Sequence, residues 1–320
     1  YALKVVGALG TNVNIILTTQ ATTIILVSTS GAGGSLHDLT INHASCDAVQ
    51  FSHITLAGGL TITAGALSTG SDKNLTVTGD VSVTGTLTGN ASAISMGSLT
   101  IASGGTYIAT SGTTTITDES SGGDAVSNAG TFTPNGGLLK ITTDDNTVIK
   151  GNEWGNIEID LDTTSDVCLW RDYSGNAVTI NGDLTVTDGD FNSHTVTDTL
   201  TINGNTYIGA NGKFNNDGDH TGTVTHNGIV TNNGIYKTST GGGAGATITN
   251  FNGGIRNLDD WGRNDNFTIG GTGGILEGNL GTGDINVNLD APYLLDDDDD
   301  SFYVAHHSDF HGYTALTISG

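Results

Sequence analysis

The sequence predicts an all-β protein, an elongated β-solenoid (β-helix) of short strands rich in Thr, Gly and Asn. Three observations carry this expectation. First, apolar residues alternate with Thr or Ser at period two, as at Leu75, Val77, Val81, Val83 and Leu87, which sends one set to an interior and the other to a surface. Second, Gly79, Gly85 and Gly89 break that run at strand-length intervals, and glycine permits the bend that ends a strand. Third, the same grammar returns later, as Val178-Thr-Ile-Asn-Gly-Asp-Leu184-Thr-Val-Thr and Leu200-Thr-Ile-Asn-Gly-Asn-Thr-Tyr207-Ile208.

A longer correspondence lies over the short one. Leu60-Thr-Ile-Thr-Ala-Gly65-Ala-Leu67 matches Leu184-Thr-Val-Thr-Asp-Gly189-Asp-Phe191, 124 residues on, and Leu75 to Asp80 matches Leu200 to Asn205 at 125. Leu39-Thr-Ile-Asn42 matches Ile157-Glu-Ile-Asp160 at 118, and Gly130 to Gly136 resembles Gly222 to Gly228 at 92. The order of motifs is kept while the spacing drifts, as expected of an array whose units touch only their neighbours. A closed barrel constrains strand number and shear, so tandem antiparallel sandwich or barrel domains are the second choice. Seven Asn-Gly pairs, at Asn135, Asn181, Asn203, Asn211, Asn227, Asn233 and Asn252, keep that second choice open, because the pair suits hairpins as well as solenoid corners.

Taken in chain order, residues 1–34 lack the glycine punctuation and read as a cap or joining segment. Their most apolar stretch, from Ile15 to Val27, is broken by Thr and Gln and is too short to cross a bilayer as a helix. It reads as two strands, 13–17 and 23–27. Residues 35–154 form the first β-repeat module and 155–240 the second. The run Gly241-Gly-Gly-Ala-Gly245 marks a break, and 241–320 is a C-terminal β region with an acidic, His-rich end. The chain opens on Tyr1 and its only methionine is Met96, which reads as a processed product or an excerpt of something longer.

Composition narrows the partners. The chain has 49 glycines in 320 residues, 13% charged residues and a net charge of −24, with nine Lys and Arg in all. Nucleic acid is excluded because phosphate binding draws on cations that are missing here, and the same shortage argues against anionic membranes. The 35% hydrophobic content suits the narrow core of a solenoid. About 20 residues and about 4.8 Å per coil give a rod on the order of 70–80 Å long. Cys46 and Cys168 follow corresponding strands and are expected as two buried, unpaired thiols.

Candidate chemistry is sparse. A glycosidase needs two facing carboxylates, and the chain has only four Glu. The densest acids are Asp144-Asp145 and the alternation Glu158, Asp160 and Asp162, which places three carboxylates on one face of a strand. Asp296, Asp298 and Asp300 sit in an acidic run that attracts cations, calcium above all, although the spacing of a Ca²⁺ loop is missing. His306 and His311 offer imidazole to a transition metal. Trp154, Trp170 and Trp261 stand apart from the repeats, either to stack on sugars or to fill a wide coil.

Residues 75–89, the stretch Leu99-Thr-Ile-Ala-Ser-Gly-Gly-Thr-Tyr-Ile108 through Thr117, and Gly130-Thr-Phe-Thr133 resemble repeat regions of tail-fibre and other appendage proteins of marine bacteriophages. They are similar, less closely, to β-solenoid repeats of bacterial surface adhesins. The resemblance spans about residues 35–240 and rests on motifs of low information. It implies a fibrous architecture, a place on a virion appendage or a cell surface, and a role in attachment. The expected function is therefore a non-enzymatic structural and adhesive fibre segment that assembles with copies of itself and meets a host-surface glycan or receptor. An adhesin or extracellular filament subunit of a bacterium or archaeon is the first alternative, and a polysaccharide-degrading β-helix tailspike the second.

Overall fold

The computed structural model describes residues 13–18, 36–173, 177–193, 198–214 and 222–236, and elsewhere the backbone of the strands at 2–5, 24–28, 249–251, 255–258, 267–269, 275–276, 285–288, 294–295 and 316–319. The chain is all-β, with no helix among the described residues. It divides into two compact units, Tyr1–Asn156 and Ile157–Gly320. Each is a β-solenoid whose neighbouring strands run parallel, so the antiparallel sandwich and the closed barrel are both set aside.

In the N-terminal unit the described coils build three ladders, with three short strands per coil from Val81 to Ile141 and the longer strands Leu39–Gln50 and Leu60–Ser68 each serving two ladders. The first ladder stacks Leu39 on Leu60, Leu60 on Val81, Val81 on Leu99, Leu99 on Val126 and Val126 on Ile149. Those steps make coils of 18 to 27 residues, because loops between strands absorb the difference. The second ladder stacks Leu67, Leu87, Tyr107 and Phe132. The third runs through Ile54–Leu56, Leu75–Val77, Ile94–Met96, Thr113–Ile116 and Leu138–Ile141.

Alternation decides what faces in. Leu75, Val77, Val81, Val83 and Leu87 are all buried, while Thr76 and Ser82 between them are only half-buried. Each fully buried Val, Leu or Ile stabilises the coil by about 1.5–3 kcal/mol. The strands at Ile15–Leu17 and Ile24–Ser28 match the two expected at 13–17 and 23–27 within the usual end uncertainty, and both pair with Leu39–Gln50.

The C-terminal unit repeats the plan. One ladder stacks Ile157, Leu184, Thr206, Val230 and Ile255. A second stacks Cys168, Phe191, Phe214 and Tyr236. A third stacks Val178, Leu200, Val224 and Thr249, and its backbone continues through Phe267, Ile285 and Leu316.

Glycine marks the tightest corner in both units. The long strands Leu60–Ser68 and Leu184–Ser193 bend at Gly65 (φ 90°) and Gly189 (φ 86°), the two glycines that the 124-residue correspondence aligns. Above Gly65 stand Gly85, Gly105 and Gly130, where a Cβ would overlap the carbonyl oxygens of Gly65, Val83 and Ala102 in turn. Side chains are excluded there by the closeness of the neighbouring coil's backbone.

Aromatic residues fill the wider coils. Tyr107 packs edge-on against Phe132 (5.7 Å between centroids), and Phe132 against Trp154 (5.2 Å). In the C-terminal unit Trp170, Phe191 and Phe214 follow one another at 6.4 and 6.0 Å, and Phe214 stacks on Tyr236 at 4.7 Å and 7°. Cys46 and Cys168 are buried and not joined in a disulfide, and burial pushes the Cys46 thiol up.

Candidate functional site

Glu158 and Asp160 stand on the outer face of the strand Asn156–Asp160, because Ile157 and Ile159, which alternate with them, point inward and are fully buried. Asp162 follows in an exposed loop. The Glu158 and Asp160 positions therefore share one face, as period two requires. Thr187 Oγ1 donates to Glu158 Oε1 (3.3 Å) from the next coil. Thr185 and Tyr207 stack in register above Glu158, followed by Thr231.

This outer face is tied from coil to coil by side chains. Asp188 accepts the Gly189 amide N–H at one oxygen (2.8 Å) and Asn211 Nδ2 at the other (3.1 Å). Asn233 Nδ2 donates to the Tyr207 hydroxyl (3.3 Å). At a corner of the same unit Asn203 Nδ2 donates to Asn181 Oδ1 and Asn227 Nδ2 to Asn203 Oδ1, at 3.0 and 2.8 Å. The three Asn-Gly pairs thus form an amide ladder as well as turns. The sequence shows the pairs, but only the register of coils aligns them.

Of the two roles open to Trp154 and Trp170, stacking on sugars and filling a wide coil, the structure sets the first aside. Both are fully buried, so neither indole presents a face on which a sugar can stack. They pack on Phe132 and Phe191 and fill the two interiors. Trp261, Asp296, Asp298, Asp300, His306 and His311 lie outside the described residues.

A group that the sequence does not bring together is Asp118, Glu119 and Asp144, whose nearest carboxylate oxygens all lie within 4.8 Å of one another. Ile116 is in register with Ile141, so the loops that follow them stack, and residues 25 apart become neighbours. Burial, then the charges of Asp118, Asp145 and Asp144, hold the Glu119 carboxyl above the usual carboxylate range. Three hard oxygen donors are the chemistry that a divalent cation takes. Of this group the sequence signals only the Asp144-Asp145 doublet.

An open groove of about 590 Å³ crosses the glycine corner of the N-terminal unit. Its lining of Ala, Ser, Thr and Gly holds a single carboxylate, Asp47, and so lacks the facing pair of a glycosidase.

The interior of the C-terminal unit holds a polar chain. His226 Nδ1 pairs with Thr206 Oγ1 and His226 Nε2 with the Tyr236 hydroxyl, both at 2.8 Å. All three residues are buried, and burial pushes the His226 pKa down to about 3. The imidazole is therefore neutral at pH 7, one ring nitrogen donating and the other accepting. The network satisfies buried groups and has no access to solvent.

No family model, curated protein or solved structure matches this chain.

Proposed function

We propose that the chain is a non-enzymatic structural and adhesive segment of a fibre, carried on a phage tail or other virion appendage and assembling with copies of itself. The observation that carries this reading is the surface of the coils. Thr40, Thr61, Ser82, Thr100 and Ser127 stack in register on one outer face. Thr55, Thr76, Ser95 and Thr115 do so on a second. Thr179, Thr201 and Thr225 repeat the arrangement in the C-terminal unit.

Hydroxyls at one coil spacing on a hydrogen-bonded sheet, with a charge only where the two N-terminal columns reach Lys150 and Lys140, make a rigid surface suited to weak contacts repeated many times. Coils of unequal length let such an array grow or shrink without loss of its core. The groove with one carboxylate agrees with attachment better than with cleavage.

Immunogold electron microscopy of particles and cells that carry the protein tests the reading. Gold along a virion appendage is the expected result. Gold along a cell-surface filament would move the assignment to an adhesin, and gold confined to the cell interior would overturn both.

A further inference from the structure

We propose that the outer face around Tyr207 binds a neutral, hydroxyl-rich saccharide chain, an inference that rests on the attachment role and gives it a place and a ligand class. The starting point is a break in the surface pattern. Most outward positions on the ladders described above carry Thr, Ser or a charged residue such as Lys140, Lys150 and Glu158, yet the position between Thr185 and Thr231 carries a tyrosine that is 44% exposed. Phe51 and Tyr173 are also exposed, but both follow strand ends, at Leu39–Gln50 and Val167–Arg171. Tyr207 alone of the three stands within a strand, flanked by a paired strand on each side.

Lone exposed aromatics are common and need no function. What sets Tyr207 apart is how it is held. Thr206 and Ile208 on either side are buried, which fixes the backbone, and Asn233 grips the hydroxyl. A ring so placed is an apolar platform with little freedom left to lose on binding. Further along the same strand pair Asp188 and Asn211 are locked to each other, and two coils away in the Tyr207 column Glu158 accepts from Thr187. Carboxylates and carboxamides fixed in this way meet the paired hydroxyls of a sugar, while the C–H face of the sugar ring covers the phenol.

Charge selects among saccharides. Glu158, Asp160 and Asp188 share the face with Asn and Thr, and the cations nearest in register are Arg256, one coil beyond Thr231, and Lys213, further along the Tyr207 strand, so acids outnumber bases there. Sulfated or uronate-rich chains are therefore disfavoured, and neutral ones are accepted. Tyr207 lies two coils from Glu158, about 10 Å at the spacing of β-strands, so the platform is long enough for a short run of linked sugars.

Affinity electrophoresis of the full chain tests this, in native gels cast with dextran, laminarin, galactomannan or arabinoxylan, and with alginate as the anionic comparison. Retardation is expected in at least one neutral gel, weakened about tenfold by Tyr207→Ala, kept by Tyr207→Trp and unchanged by Thr201→Ala on another ladder. Circular dichroism melting verifies that each variant is folded. Should Tyr207→Ala fail to fold, Tyr207→Trp against Asp188→Ala carries the test, with loss expected only in the second. No retardation in any neutral gel, retardation confined to alginate, or equal retardation of folded Tyr207→Ala would overturn the proposal. A chain that labels an appendage yet binds no neutral gel would sink the platform and leave the fibre role standing.

Discussion

The tripeptide Thr-Tyr-Ile occurs at 106–108 and again at 206–208, once in each unit, and the two copies face opposite ways. Tyr107 is fully buried between Leu87 and Phe132, with its hydroxyl 2.7 Å from Thr114 Oγ1 and its pKa pushed up to about 12 by burial. Tyr207 lies outside, while its neighbours Thr206 and Ile208 are buried beneath Leu184 and Val186 of the preceding coil. A shift of one residue in a strand moves every side chain to the other face. The tripeptide specifies a strand, and the coils that flank it specify the face.

Each outcome also depends on a partner contributed by the next part of the coil or by a later coil. The Tyr107 hydroxyl is tolerated inside because Thr114 meets it. Thr206 is tolerated inside because His226 does. A buried hydroxyl without such a partner costs about 1–3 kcal/mol.

The largest expected effect separates the two tyrosines. Tyr107→Ala opens a cavity in a packed interior and is expected to destabilise the N-terminal unit by about 3–5 kcal/mol. Tyr207→Ala should stay within about 0.5 kcal/mol. Urea denaturation of the full chain measures both, and equal losses would break the contrast.

Acid probes the interior partner of Thr206. His226 has a folded pKa of about 3 against an ordinary value of 6.5, so below pH 6.5 the unfolded chain takes up a proton that the folded chain refuses. Stability is complete above pH 6.5 and falls by up to about 1.4 kcal/mol per pH unit as pH drops toward 3. About 2–3 kcal/mol is lost by pH 4.5 on that slope. Melting curves at pH 7.5 and 4.5 should show a smaller difference in His226→Gln than in the unmodified chain.

Two adjacent glycines give a smaller and sharper contrast. Gly104 has a φ of 84°, and a Cβ there would meet nothing within 4 Å, so Gly104→Ala loses only what its backbone angle costs, about 1 kcal/mol. At Gly105 a Cβ would overlap the Val83 carbonyl oxygen, and Gly105→Ala should cost about 2 kcal/mol or more. Equal melting temperatures for the two variants would show that the coils have room to give.

Glu119→Gln is the gentlest change. Because the folded carboxyl titrates above its ordinary value, its charged form opposes folding, and stability is lost as pH rises above that ordinary value. The amide should raise stability at pH 7 by a few tenths of a kcal/mol, with no gain at pH 4. Thermal melting at both pH values measures it.

The sequence makes the strands and their interior faces readable wherever alternation is strict, as from Leu75 to Leu87. It also aligns Gly65 with Gly189, because a corner too tight for a side chain leaves a trace in composition. What it hides is set by the stack. Asp118 and Glu119 meet Asp144 only because one coil here spans 25 residues, and coil length varies along the chain. Trp154 and Trp170 stand apart from the repeats, so the sequence leaves a surface role and a core role both open, and only the stack shows that they fill coils wide enough to hold an indole. Tyr207 carries the same local pattern as Tyr107, so its exposure waits on the register of Thr185 and Thr231.

Attachment without cleavage is the central claim, and the length of a bound polysaccharide tests it most directly. After prolonged incubation with the full chain, the neutral polysaccharide that retards it in a gel should elute from a sizing column unchanged. A shift to shorter chains, abolished by Glu119→Gln or Glu158→Gln, would contradict the claim and establish the depolymerase in its place.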